Sequence, residues 1–189
     1  MEDSKYFTDF EEKVSNSILK LTKDFNTTDG HFLEVEELDQ KWKEIAPEYM
    51  ADAVPQINDY PEVSIIWAAY IGMGCAVLWD KEWNKYKEGI NLYEEFKRVR
   101  GFDFMDEYIC EIFMGMDIKG QDFKYQENVL RSCANVAISM IRHEKVQPQT
   151  PDAFYIYSRV THAFYKLGIT IALKKLKYHY EKATINNPL

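Results

Sequence analysis

Only three cysteines occur among 189 residues, Cys75, Cys110 and Cys133, each inside an apolar stretch and none in a Cys-x-x-Cys spacing. That excludes a disulfide framework and a zinc knot, and it predicts buried thiols in a reducing, cytoplasmic compartment. Six prolines and eight glycines exclude a collagen-like or linker-like chain. The four histidines, His31, His143, His162 and His179, are never preceded three residues earlier by glutamate, and no His-Glu-x-x-His occurs. A di-iron or zinc enzyme therefore lacks its ligand pattern. Gly-x-Ser-x-Gly, P-loop and Gly-x-Gly-x-x-Gly motifs are also missing, so hydrolase, nucleotide and dinucleotide chemistry have no signature. No metal and no cofactor is expected. The opening MEDSKYFTDF has neither a basic segment nor an apolar one, so no secretory leader is expected there.

What is present is a hydrophobic content of 46% with 29% charged residues, enough for a full core. Net charge is −8, unevenly placed. Residues 1–62 carry 16 acids and 6 bases, whereas residues 141–189 carry 3 acids and 8 bases. An acidic protein is repelled by phosphate backbones, so no nucleic-acid partner is expected. A helical DNA-binding regulator of this length would need a basic N-terminal head, and residues 1–62 are net −10.

Apolar residues step by three and four throughout, the period of a helix. Phe7, Phe10, Val14 and Leu21 make one stripe; Val35, Leu38, Trp42 and Ile45 make a second. Ala46-Pro47-Glu48, Tyr60-Pro61-Glu62 and Thr150-Pro151-Asp152 share a helix-start signature. Proline at the first helical position costs no hydrogen bond, and the acid that follows suits the N-terminal dipole. The spacing predicts helices from Pro61 to about Tyr86, then over about 89–99, 102–116, 121–144 and 151–182. Phe32–Glu36 is the sole strand candidate. The expectation is an all-α, single-domain bundle over residues 1–189. It has six to seven helices around a buried central helix starting near Pro61.

Val63–Trp79 contains no charge over seventeen residues, at the lower edge of a bilayer span. Its glycines and flanking acids make it the central helix of a bundle rather than a membrane anchor. Ser64, Ala68, Gly72 and Ala76 recur every four residues along it and leave one face smooth enough for close helix contact. A weak echo of Ile71–Leu78 lies at Leu167–Lys174, 96 residues later. It reads as the shared need of packed helices for small residues at a crossing.

Asp24–Glu36 can be tested against a calcium loop. Setting Gly30 as the turn glycine puts Phe25 and Leu33 at ligand positions, where they supply no side-chain oxygen. A capping turn is expected instead.

Two rows could carry chemistry. Asp103, Glu107 and Glu111 recur every four residues, with Asp106 alongside. Such a carboxylate stripe could serve acid–base work or face cations. Tyr155, Arg159, His162 and Lys166 form a row on the last helix that could hold an anionic ligand or face the acidic stripe. The same helix is expected to bury Phe154, Tyr157, Val160, Phe164 and Ile171. Asn128, Ser132, Asn135 and Ser139 give helix 121–144 a small polar face suited to a second helix or a subunit contact. Trp79, Trp83 and Tyr86 form an aromatic stripe expected in the core.

The leading expectation is a cytoplasmic helical protein without catalytic chemistry, acting by self-association or by binding a protein partner, with no membrane. The alternative is a small-molecule-binding or enzymatic bundle with an anionic-ligand pocket lined by Arg159, His162 and Lys166.

Overall fold

A computed structural model describes residues 2–179, with side chains from Lys5 onward. The chain is all-α: α1 (Glu2–Asp24), α2 (Glu36–Ala53), α3 (Pro61–Tyr86), α4 (Leu92–Arg100), α5 (Met105–Tyr108), α6 (Gln121–His143) and α7 (Pro151–Lys175). Among the described residues there is no strand. Phe32–Glu36 runs as coil into the start of α2, and Leu33 N–H donates to Thr170 Oγ1 at 3.0 Å instead of to a strand partner. Residues 180–182, expected at the end of the last helix, lie outside the described residues.

Local chemistry sets most boundaries. Thr150 caps α7 by accepting from Ala153 N–H at 3.3 Å, with Pro151 in the first turn. Asn91 caps α4 by accepting from Tyr93 N–H at 3.0 Å. Pro61 starts α3 as expected.

Pro47 does not start a helix. It lies inside α2, which begins at Glu36. Ile45, Tyr49, Met50 and Ala53 are buried on both sides of it, so packing holds the two halves in one helix despite the missing N–H. Residues 102–116 are not one helix either. Four residues of α5 give way to a wide π turn over Ile109–Phe113, closed by Met114 N–H donating to Ile109 O at 3.1 Å. Gly115, at φ +64°, ends the segment.

α3 is the centre. Every residue from Ser64 to Leu78 is buried, as expected of a helix surrounded by neighbours. Its most extensive partner is α7. Tyr157 Oη donates to Ser64 O at 2.6 Å, Gly72 lies against Tyr165 O, Gly168 lies against Ala69 O, and Tyr178 Oη donates to Asp80 at 2.6 Å. From Ser64–Tyr157 through the glycine crossing to Asp80–Tyr178, position rises on both segments, so α3 and α7 run parallel. A Cβ on Gly72 would stand 2.1 Å from Tyr165 O, and one on Gly168 only 1.8 Å from Ala69 O. The echo of Ile71–Leu78 in Leu167–Lys174 thus lies at one crossing, each glycine facing the backbone three residues before the other.

Candidate functional site

The row on α7 sits where α1, α2 and α7 meet. Glu11, on the buried face of α1, is 9% exposed. It accepts from Arg159 Nη1 at 3.1 Å and from His162 Nδ1 at 2.7 Å. Burial pushes the Glu11 carboxyl up, but these two donors outweigh it and the group stays below its ordinary range. A carboxylate at that distance requires a proton on Nδ1, which fixes the ring's orientation. The other ring nitrogen lies 3.6 Å from Asp39, and Trp42 stacks on the ring at 6.1 Å. Lys166 lies 3.7 Å from Glu34 and over the Phe32 ring at 4.8 Å. Tyr155 has no place in this network. It is 52% exposed and packs on Phe7 at 5.3 Å. Arg159, His162 and Lys166 are thus engaged by acids of α1, α2 and the loop between them. Further along, Lys174 holds Asp29 at 2.8 Å, in the loop tested as a calcium site.

The acidic stripe has a different neighbour. Arg100, at the end of α4, bridges to Glu111 and lies 4.0 Å from Glu107. The three do not lie on one continuous helix, because Asp103 precedes α5 and the π turn over Ile109–Phe113 contains Glu111. The structure therefore does not bring the two rows together. It pairs each with a separate partner set.

Asp106, beside the stripe, is buried at 8% exposure. Burial pushes its carboxyl up to about 6, against hydrogen bonds from its own N–H and that of Glu107. The Tyr70 hydroxyl is buried without a hydrogen-bond partner, and burial pushes it well above its ordinary range. Cys110 Sγ accepts from Gln126 at 3.6 Å, and Lys175 donates to Gln126 Oε1 at 2.5 Å. Sequence reasoning missed this cluster, since its members come from α3, the α5–π segment, α6 and α7 with no shared spacing. All three cysteines are buried and free, and burial pushes their thiols up to about 12.

Phe154 was expected in the core and is 46% exposed. It lines an open groove of about 610 Å³ with Pro47, Met50, Ala51, Val54 and Pro55. From there rings continue in contact: Phe154 with Tyr155 at 6.1 Å, Tyr155 with Phe7 at 5.3 Å, and Phe7 with Tyr6 at 5.2 Å. Tyr6 donates to Glu144 at 2.6 Å, which ties this edge to the end of α6. The buried residues of α7 begin at Ile156, so Phe154 and Tyr155 precede the packed part of the helix. The polar face of α6 is open, with Asn128, Asn135 and Ser139 exposed. Trp79 and Trp83 are half-buried, and Trp79 meets Tyr178 edge-on at 5.8 Å.

No protein-family model matches the chain, and no curated protein or solved structure matches it at a significant level. Fold alone does not assign function, so function is read from the surfaces themselves.

Proposed function

We propose that this chain is a helical protein-interaction module that acts by contact with another protein chain and carries no catalytic chemistry of its own. One observation carries the reading. An apolar and aromatic surface running from Val54 through Phe154 to Tyr155 lies open. Contiguous exposed apolar area of this kind marks interaction sites, and Tyr and Phe are favoured there. The competing reading, an anionic ligand on Arg159, His162 and Lys166, would require displacing Glu11 and Glu34. Its acidic surface argues against nucleic acid, and its buried thiols suit a reducing compartment such as the cytoplasm.

The test joins two measurements. Sedimentation across roughly micromolar to millimolar concentrations, with affinity capture from the source cells, compares wild type with Tyr155→Glu. A homo-oligomer or stoichiometric partner lost in the variant supports the reading. A monomer whose captured proteins are the same in both does not. A thermal shift with citrate or phosphate that vanishes in Arg159→Ala would favour the anionic pocket instead.

A further inference from the structure

The segment between α4 and α6 is built differently from the helices around it. Residues 102–114 contain only the short α5 and the π turn, and two left-handed glycines bound them, Gly101 at φ +73° and Gly115 at φ +64°. Both glycines are exposed, and a Cβ on either would meet nothing, so the backbone is free to turn at both ends. Between them only Met105, Asp106, Ile109 and Cys110 are buried, while Phe104 and Ile112 are exposed. The attachments are few. Trp67 Nε1 donates to Phe102 O at 2.6 Å, Gln126 Nε2 donates to Cys110 Sγ at 3.6 Å, and Phe113 meets Phe96 edge-on at 5.2 Å. A segment with so few buried contacts opens at lower cost than the helices it covers.

Asp106 lies at its centre, a buried carboxyl that no lysine, arginine or histidine pairs with among the described residues. Each neighbouring element has been searched for a cation. From α3 comes the Tyr70 hydroxyl, buried and without a partner. From α6 comes Glu127, whose partner Arg131 is shared with Glu62 of α3. From α4, Arg100 is taken by Glu107 and Glu111, and from α7, Lys175 is bound to Gln126. Within the segment, Glu107 adds a further carboxylate and Cys110 a thiol. An ionised Asp106 therefore meets other acids and no available cation, whereas a protonated one is a neutral polar group. Turning at the two glycines would carry the charge out to water.

We infer that residues 102–114 form a flap, hinged at Gly101 and Gly115, that stays shut while Asp106 holds its proton and opens as the carboxyl ionises. The sign follows from burial, which raises the carboxyl from 3.8 to about 6 in the shut flap. The shut state binds the proton more tightly than the open one, so it is favoured in acid and released as pH rises through roughly 4 to 6. Opening uncovers Ile109, Cys110 and the Tyr70 hydroxyl.

The test is hydrogen exchange on the full chain, read by mass spectrometry at about pH 4.5 and 7.5, with each rate divided by that of an unstructured peptide at the same pH. Residues 102–114 are expected to exchange ahead of α3, through openings insensitive to dilute urea because they expose little surface. Their protection should fall by at least about tenfold between the two pH values. Asp106→Asn should remove that fall. A thiol reagent active in acid, dithiodipyridine, gives a second readout. At the higher pH it should label Cys110 ahead of Cys75 and Cys133, which are buried on α3 and α6. The inference is overturned if residues 102–114 exchange only together with α3. It is overturned equally if their protection does not fall with pH, or if the fall persists in Asp106→Asn. Should that variant not fold, the wild-type exchange and the order of thiol labelling decide alone, and Cys110 reacting no sooner than the other two ends the idea.

Discussion

At the scale of single residues, Glu11 and Asp106 show how burial and partners decide a carboxylate's role. Glu11 is charged because two donors from α7 meet it; Asp106 keeps its proton longer because no cation does. A Glu11→Ala and Arg159→Ala cycle should give a coupling of about 0.5–3 kcal/mol in denaturant melts. Charge reversals at Glu107 and Arg159 should be additive, since Glu107 faces Arg100. Asp106 makes a pH prediction with a definite sign. Holding a proton to about 6 rather than 3.8 means that the folded state binds it more tightly than the unfolded chain. Stability therefore falls as pH rises through roughly 4 to 6 and is level above, a span of at most about 3 kcal/mol. Asp106→Asn keeps an acceptor for Glu107 N–H and removes the charge. It should raise stability near neutral pH by about 1–3 kcal/mol and change little near about pH 4. Equal melting of the two proteins at both pH values would refute this account. The sequence sets Asp106 beside the acidic stripe and gives Glu11 no distinguishing spacing. Which cation each would meet depended on how four helices pack, and no local spacing encodes that.

At the scale of elements, the legible features were those whose cause is local. Pro61, Pro151 and the charge-free run specified α3 and the start of α7, and the stripe of small residues specified a close approach. Gly168→Ala should cost at least about 3 kcal/mol, because its methyl would stand 1.8 Å from Ala69 O and backbone cannot yield cheaply. Gly72→Leu should leave no cooperative melting transition. A variant melting like wild type would mean that no helix approaches there. Pro47 was misread because its Ala-Pro-Glu context matches a helix start, while the residues that override it, Tyr49 and Met50, act through tertiary burial. Replacing Pro47 by Ala restores the hydrogen bond to Lys43 O and should stabilise α2 by about 1–3 kcal/mol. The π turn was illegible for a related reason: Cys110 and Ile109 turn inward together, which an even helical period cannot produce.

At the scale of the whole molecule, the charge asymmetry noticed in the sequence becomes an internal arrangement. Acids of the first helix and of the loop that follows it meet bases of the last helix at Glu11–Arg159, Glu34–Lys166 and Asp29–Lys174. The pairs are partly solvated, so raising salt to about 1 M should lower stability by only about 1–2 kcal/mol in all. A much larger loss would show that charge pairing, rather than the α3–α7 crossing, holds the ends together. Finally, the parallel pairing of α3 with α7 bears on the order of events in synthesis. The central helix leaves the ribosome well before its main partner is translated, and its contacts span more than ninety positions of chain. Such non-local pairing folds slowly and leaves an apolar surface waiting. Nascent chains stalled before α7 should therefore recruit holding chaperones, and release should coincide with the emergence of Gly168.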